Sequence, residues 1–234
     1  MNHEEQRIWM IRYLLNEDEQ YTGYKIPDDE KSQKDLLRAL MNVRLPRAIS
    51  DEFLSIQDEY LQEENNREVI TDITMLQPCA CDSRLYLWQG DMTTLRVSGV
   101  VNPANSALRG CFIPLHNCAD NIVHSKAGIQ LRLKCDRIMC AQGHEEPTGQ
   151  AKITPAYNLP CKYILHTVGP IVQGRLTKEH ERLLASCYTS CLNLAAEIAV
   201  ETVRNWLDET ESGMKVIFNV YKDLDLKIYT ELCK

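Results

Sequence analysis

The sequence predicts an α/β fold with a helical N-terminal extension, and three observations carry that prediction. After Pro78, short apolar runs of strand length alternate with helical patterns. Before about residue 75 the pattern is helical and heavily charged. Hydrophobic residues make up 44% of 234 positions, enough to bury a substantial core. At about 150 residues per domain, this length fits one large domain with an added segment.

The elements follow in order. Ile8, Ile11, Leu14 and Leu15 share one helical face, and Leu36, Leu37, Leu40 and Met41 make a second stripe that Leu45-Pro46 ends. Ser50 reads as an N-cap with Asp51 and Glu52 in the first turn, and Phe53, Ile56, Tyr60 and Leu61 supply the apolar face behind it. No chemistry is visible in residues 1–75, which read as a helical cap on the main domain of residues 76–234. Strands are then expected over 85–88, 97–101, 162–168 and 215–221, with a helix over about 120–139 and another from about 177. This alternation predicts βαβ units around a largely buried sheet. Residues 177–211 run without Gly or Pro, which read literally is one helix far beyond the usual 8–20 residues. Its apolar face shifts near Leu194-Ala195-Ala196, as though two segments had been joined.

Composition excludes several classes. Acids outnumber bases 33 to 26, a net charge of −7, so no basic stripe marks a nucleic-acid partner. No apolar run approaches the roughly 18 residues of a membrane span. The start, Met1-Asn2-His3-Glu4-Glu5, lacks the charged and apolar regions of a signal peptide. Ten cysteines in such a chain predict reduced thiols and a cytoplasmic protein. Glycine is scarce, 10 residues in 234.

The densest cluster of chemistry lies in residues 110–118, where Cys111, His116 and Cys118 fall within eight positions. Thiolate plus imidazole suits zinc, and three protein ligands leave a fourth position open for water or substrate. Plain burial of cysteines as small apolar groups is the competing reading. His144-Glu145-Glu146-Pro147-Thr148 fails as a metalloprotease helix motif, because Thr148 stands where the second histidine belongs and Pro147 breaks the helix; it reads as a surface loop. Neither a dinucleotide glycine pattern nor a P-loop occurs. Cys79 and Cys81 read as strand or turn positions. Cys135, Cys140, Cys187 and Cys191 read as buried apolar groups, and His124 and His180 as structural or solvated. Gly90-Asp91-Met92 follows one strand and Asn102-Pro103-Ala104-Asn105-Ser106 closes the next. That order would gather an acid and amides at the strands' carboxyl ends, where open α/β sheets bind ligands, although Asp and Asn also simply make turns.

Taken together, Gly90-Asp91-Met92-Thr93, Val101-Asn102-Pro103-Ala104-Asn105, Thr148-Gly149-Gln150-Ala151 and Leu165-His166-Thr167-Val168-Gly169-Pro170 resemble a macrodomain in sequence and in order. The insertion of residues 110–118, continuing into Asp120-Asn121, resembles that of the zinc-dependent class of bacterial protein-ADP-ribose hydrolases, which also carries an N-terminal helical extension. The resemblance implies a three-layer α/β/α fold with a mixed sheet and an ADP-ribose cleft. It implies that Asp91 accepts from the adenine amino group, with Met92 beside it through its backbone. Asn105 would reach the distal ribose near a Zn²⁺ held by Cys111, His116 and Cys118, with Cys118, Ala119 and Asp120 lining the same end. The implied reaction is hydrolysis of the glycosidic bond joining ADP-ribose to a protein side chain. Asn105 and Asp120 are then the catalytic candidates, Asp120 as base, as partner to a metal ligand, or merely as helix N-cap. Class members beside lipoylation genes imply a lipoyl-carrier protein as substrate. One departure stands out: the central strand and glycine-rich phosphate loop of a macrodomain belong between Leu194-Ala195 and Ala196-Glu197, which here are joined directly. That departure keeps two alternatives open, an ADP-ribose reader without catalysis and an impaired hydrolase. A fourth protein ligand closing the metal site would instead indicate a structural metal protein.

Overall fold

The computed structural model describes residues 1–195 and 213–233. The chain divides into two compact units. The first comprises Met1–Glu68, Ala107–Glu145 and Pro155–Leu159. The second comprises Val69–Ser106, Glu146–Thr154 and Pro160–Lys234.

In the first unit, α1 (His3–Asn16), α2 (Glu30–Val43) and α3 (Asp51–Asn66) start where side chains can take up orphan backbone N–H groups. Asn2 and Glu5 form a capping box, Asp29 accepts from the Ser32 amide, and Ser50 accepts from the Phe53 amide at 3.1 Å, as the sequence predicts. The predicted stripes, apart from Ile8, and the third apolar face meet in one core, which Met10 joins unpredicted: Met10, Ile11 and Leu14 from α1, Leu37, Leu40 and Met41 from α2, Phe53, Ile56, Tyr60 and Leu61 from α3, with Leu15 and Leu36 packed against it. Burying a side chain such as Phe53 contributes about 1.5–3 kcal/mol.

The single helix expected over 120–139 is two, α4 (Ala119–Ala127) and α5 (Ile129–Gln142). Gly128 breaks it, with φ +100° and ψ 172°, a region essentially restricted to glycine. A Cβ there would lie 2.6 Å from Gln57 Nε2. Fully buried Gln57 makes the break tolerable, because its Oε1 accepts from the Ile129 amide at 2.9 Å and caps α5.

In the second unit the strands are β1 (Thr71–Asp72), β2 (Leu85–Gln89), β3 (Leu95–Arg96), β4 (Gly99–Ala104), β5 (Ala151–Pro155), β6 (Tyr163–Val168) and β7 (Val216–Val220). The four predicted strands are β2, β4, β6 and β7; the other three went unpredicted. β1 pairs with β3, β2 with β7, and β4 with β6, all parallel. β5 lies on the other side of β6. Seven residues are too few for a parallel crossover, and the Gly149 amide donates to Val168 O at 3.0 Å, so β5 runs antiparallel and the sheet is mixed. Among the described residues β2–β7 and β4–β6–β5 are separate sheets. Helix α6 (Lys178–Ala195) packs on β6, and α7 (Asp223–Leu232) packs on β2 and β7. The rest of the glycine-free stretch, with the junction after Ala195, lies outside the described residues.

His166 crosses the three-stranded sheet, fully buried, with Asn102 Nδ2 at 3.1 Å from its Nδ1 and Thr154 Oγ1 at 3.0 Å from its Nε2. Cys135, Cys187 and Cys191 are buried as expected, and burial pushes the Cys135 and Cys191 thiols up to about 12. Cys140 is instead exposed, its Sγ 3.6 Å from both Arg109 Nη2 and Asp136 Oδ1. The 144–148 segment is only partly a surface loop: Glu146 is buried and pairs with Lys152 at 2.7 Å. No helix among the described residues is long and apolar enough to cross a membrane.

Candidate functional site

The loop from Gly110 to Cys118 begins with a close approach. Gly110 has φ +80°, and a Cβ on it would lie 2.8 Å from the His124 ring, so no other residue fits. Leu115 also adopts a left-handed conformation, φ +55°, which a bulky residue holds only when its surroundings fix it, at about 1–3 kcal/mol. They do fix it: the Leu115 amide donates to Asn42 Oδ1 at 3.1 Å, and Asn121 Nδ2 donates to Ile113 O at 3.0 Å.

Folding the loop this way brings Cys111, His116 and Cys118 together, their donor atoms all within 4.8 Å of one another. Cys111 Sγ and His116 Nδ1 stand 3.5 Å apart. A tetrahedral zinc with Zn–S near 2.3 Å and Zn–N near 2.0–2.1 Å has an S···N edge of about 3.6 Å, so the pair already has the spacing the ion needs. Cys118 occupies the N-cap of α4, its Sγ accepting from the Asn121 amide at 3.4 Å. Burial holds the Cys118 thiol above its ordinary range, reinforced by the negative charge of Cys111 and Asp120. Two sulfur donors, an imidazole and a nearby carboxylate crowded in this way suit a cation, which would hold the sulfurs as thiolates when bound.

Asp120 is therefore not the N-cap; Cys118 holds that position. Asp120 sits buried in the first turn beside Ala119, with Oδ1 3.6 Å from His124 Nε2.

The remaining predicted site residues lie in the second unit. Asp91 follows β2 and caps the short 3₁₀ turn Met92–Thr94, its Oδ1 accepting from the Thr93 amide at 2.9 Å and the Thr93 hydroxyl at 2.6 Å. Asn219 of β7 donates to Gly90 O at 3.0 Å and fixes the turn. Asn105 is exposed one residue beyond β4. Asp91 and Asn105 thus stand at strand carboxyl ends as expected, but among the described residues of different sheets, because β2 neighbours β7 and β4 neighbours β6.

Three residues around the loop, Arg38, Asn42 and Arg132, carried no expectation in the sequence, and Asn121 entered only as part of the resembling insertion, without a role. Asn121, fully buried, joins the carbonyls of Ile113 and Cys111 to the Cys118 sulfur. Arg132 is nearly all buried, and desolvation lowers its guanidinium to about 10. It sits 4.1 Å over the Phe112 ring. Arginine and asparagine on amphipathic helices carry no sequence signal for such contacts.

A Macro domain family model matches residues 101–205. The chain is 50% identical to a protein-ADP-ribose hydrolase of Treponema medium, over 99% of each chain. It is 44% identical to one of Staphylococcus aureus (strain MSSA476), over 88% of this chain and 86% of that protein. Among solved structures, it superposes on a Trypanosoma brucei macrodomain in complex with ADP-ribose with a TM-score of 0.62 and 22% identity, covering 84% of this chain and 95% of that one. A mutant Oceanobacillus iheyensis macrodomain gives 0.55 and 27%, covering 67% and 94%.

The alignments also carry a length difference. Since 99% of this chain is about 232 residues, about 27 of the 259 positions aligned with the Treponema protein have no counterpart here. The Staphylococcus alignment gives nearly the same figure: 88% of this chain is about 206 residues, against 232 aligned positions. With half of its residues shared end to end with one such protein and a macrodomain fold, the chain belongs to the macrodomain protein-ADP-ribose hydrolase family.

Proposed function

We propose that the chain is a zinc-dependent hydrolase that removes mono-ADP-ribose from modified proteins by cleaving the glycosidic bond to the side chain. The observation that carries this reading is the convergence of Cys111, His116 and Cys118 at zinc spacing with three protein ligands. A recognition module needs no such set. When bound there, zinc supplies Lewis acidity at an open fourth position. The chain's own residues do the rest. Asp120, buried beside Cys118, takes a proton from the attacking water or orients a metal ligand. Asn105 holds the distal ribose, Asp91 accepts from the adenine amino group, and the Met92 backbone borders the adenine; Cys118 and Ala119 line the ribose end. Residues 1–75 are the helical extension and 76–234 the macrodomain, working in the cytoplasm without nucleic acid or membrane. A mono-ADP-ribosylated lipoyl-carrier protein is the first substrate to assay.

A second reading, an impaired hydrolase, is favoured by the separation of β2–β7 from β4–β6–β5 among the described residues and by the missing aligned positions. Zinc content and ADP-ribose release from a mono-ADP-ribosylated protein, measured for the parent, Cys111→Ala and Cys118→Ala, test the proposal. One zinc in the parent, little in either variant, and release abolished by chelation are expected. Unchanged zinc in both variants overturns the ligand set. ADP-ribose binding without zinc-dependent release identifies a reader.

A further inference from the structure

Helix α2 reads in sequence as a packing element without chemistry, yet its second half holds the ligand loop. Arg38 Nη2 donates to His116 O at 2.9 Å and to Asn121 Oδ1 at 2.8 Å. Asn42 accepts from the Leu115 amide through Oδ1 and donates to Ser125 Oγ at 2.9 Å through Nδ2. From α5, Arg132 Nη1 donates to the carbonyls of Met41, Asn42 and Arg44 at 2.7–3.0 Å, groups that the C-terminus of α2 leaves without helical partners. The same guanidinium donates through Nε to Arg109 O at 2.8 Å and through Nη2 to Cys111 O at 3.3 Å. Backbone groups at both ends of the loop and around its strained residue are therefore tied to α2, directly or through Arg132.

We infer that Arg38, Asn42 and Arg132 are positioning residues that pre-shape the Cys111–Cys118 loop and thereby set its metal affinity, so that the helical extension is a working part of the metal centre. The inference rests on the zinc reading above. A loop already held in its ligating shape loses little conformational freedom when the ion binds, and outer contacts of this kind change metal affinity by about 10–100-fold. Arg38 is the informative position, because it touches the loop from a half-buried site and is not itself part of the α1–α2–α3 core, to which α2 contributes Leu37, Leu40 and Met41.

The test is zinc affinity of the full chain by competition with a chromogenic chelator, with far-UV circular dichroism checking the fold of each variant. Arg38→Ala is expected to bind zinc about 10–100-fold more weakly. Arg38→Lys, which keeps a charged donor, should recover part of that loss. Glu63→Ala is the control: Glu63 of α3 pairs with Arg67 at 2.6 Å and contacts none of Arg38, Asn42 and Arg132, so its loss should leave zinc affinity unchanged. Parental affinity in Arg38→Ala, or an equal loss in Glu63→Ala, overturns the inference and leaves the zinc reading standing. A parent that binds no zinc overturns the zinc reading itself.

Discussion

Acid should destabilise this protein through His166 well before its carboxylates titrate. The imidazole is wholly buried between Asn102 and Thr154, and burial lowers it from 6.5 to about 4. An unfolded chain takes up a proton near pH 6.5 that the folded chain refuses until about pH 4. Stability therefore rises with pH across this window and is lost as pH falls through it. With 1.36 kcal/mol per pKa unit, the loss is about 2 kcal/mol between pH 7 and 5 and about 3 kcal/mol by pH 4. Against a typical total of about 5–15 kcal/mol that is a large share. Urea denaturation at pH 7, 6 and 5 measures it, with His166→Gln as the non-titrating reference. The parent should lose about 2 kcal/mol more than the variant over this range. Parallel pH dependences, or an imidazole NMR resonance titrating near 6.5, would refute the argument.

Two other substitutions test separate sites. Asp91→Ala should weaken ADP-ribose binding about ten- to hundredfold in calorimetric titration without removing zinc, since a charge-assisted hydrogen bond contributes about 1.5–3 kcal/mol. Asp91→Asn, which keeps the cap on the Met92–Thr94 turn, should fall between; equal affinities would make Asp91 a turn residue only. Gly128→Ala should destabilise by at least about 1–3 kcal/mol, because the backbone is strained for any Cβ and the new methyl collides with Gln57. Unchanged denaturation midpoints would show that the α4–α5 break relaxes freely.

What was legible in the sequence was local. Ser50, the stripes of α1 to α3 and the runs that became β2, β4, β6 and β7 announce themselves through capping chemistry and periodicity, which depend on residues within a turn or two. The cluster of Cys111, His116 and Cys118 was legible for the same reason, being spaced within eight positions. The α4–α5 break was not, because an isolated glycine in a helical pattern signals nothing until Gln57, some seventy residues earlier, is found capping the second helix. Nor was the role of Arg38 and Arg132, whose contacts join segments about 80 and 90 residues apart. Glu146 and Cys140 were misplaced because burial is set by the fold around a residue and not by its type.

The two sheets of the second unit pose the last question. β2, β4, β6 and β7 are parallel strands of the kind that βαβ units gather into one sheet, yet among the described residues β7 pairs only with β2, and β4 only with β6. The sequence reads as joined after Ala195, between β6 and β7, and two relatives each carry about 26 or 27 aligned positions that this chain lacks. That length is enough for a strand of five or six residues, a glycine-rich loop and a turn, and the chain's ten glycines are few for its size. One added strand pairing with β7 on one side and β4 on the other would merge the sheets. Each backbone hydrogen bond contributes about 0.5–1.5 kcal/mol net, so a strand bonded on both sides is worth several kcal/mol. Its loop would also present backbone N–H groups to a diphosphate. Grafting the corresponding Treponema medium segment after Ala195 should therefore raise the denaturation midpoint, slow amide exchange in β4 and β7, and accelerate ADP-ribose release in the same protein. If exchange in both strands is unchanged and release is no faster, the sheet is complete as it stands and the phosphates are bound by other groups.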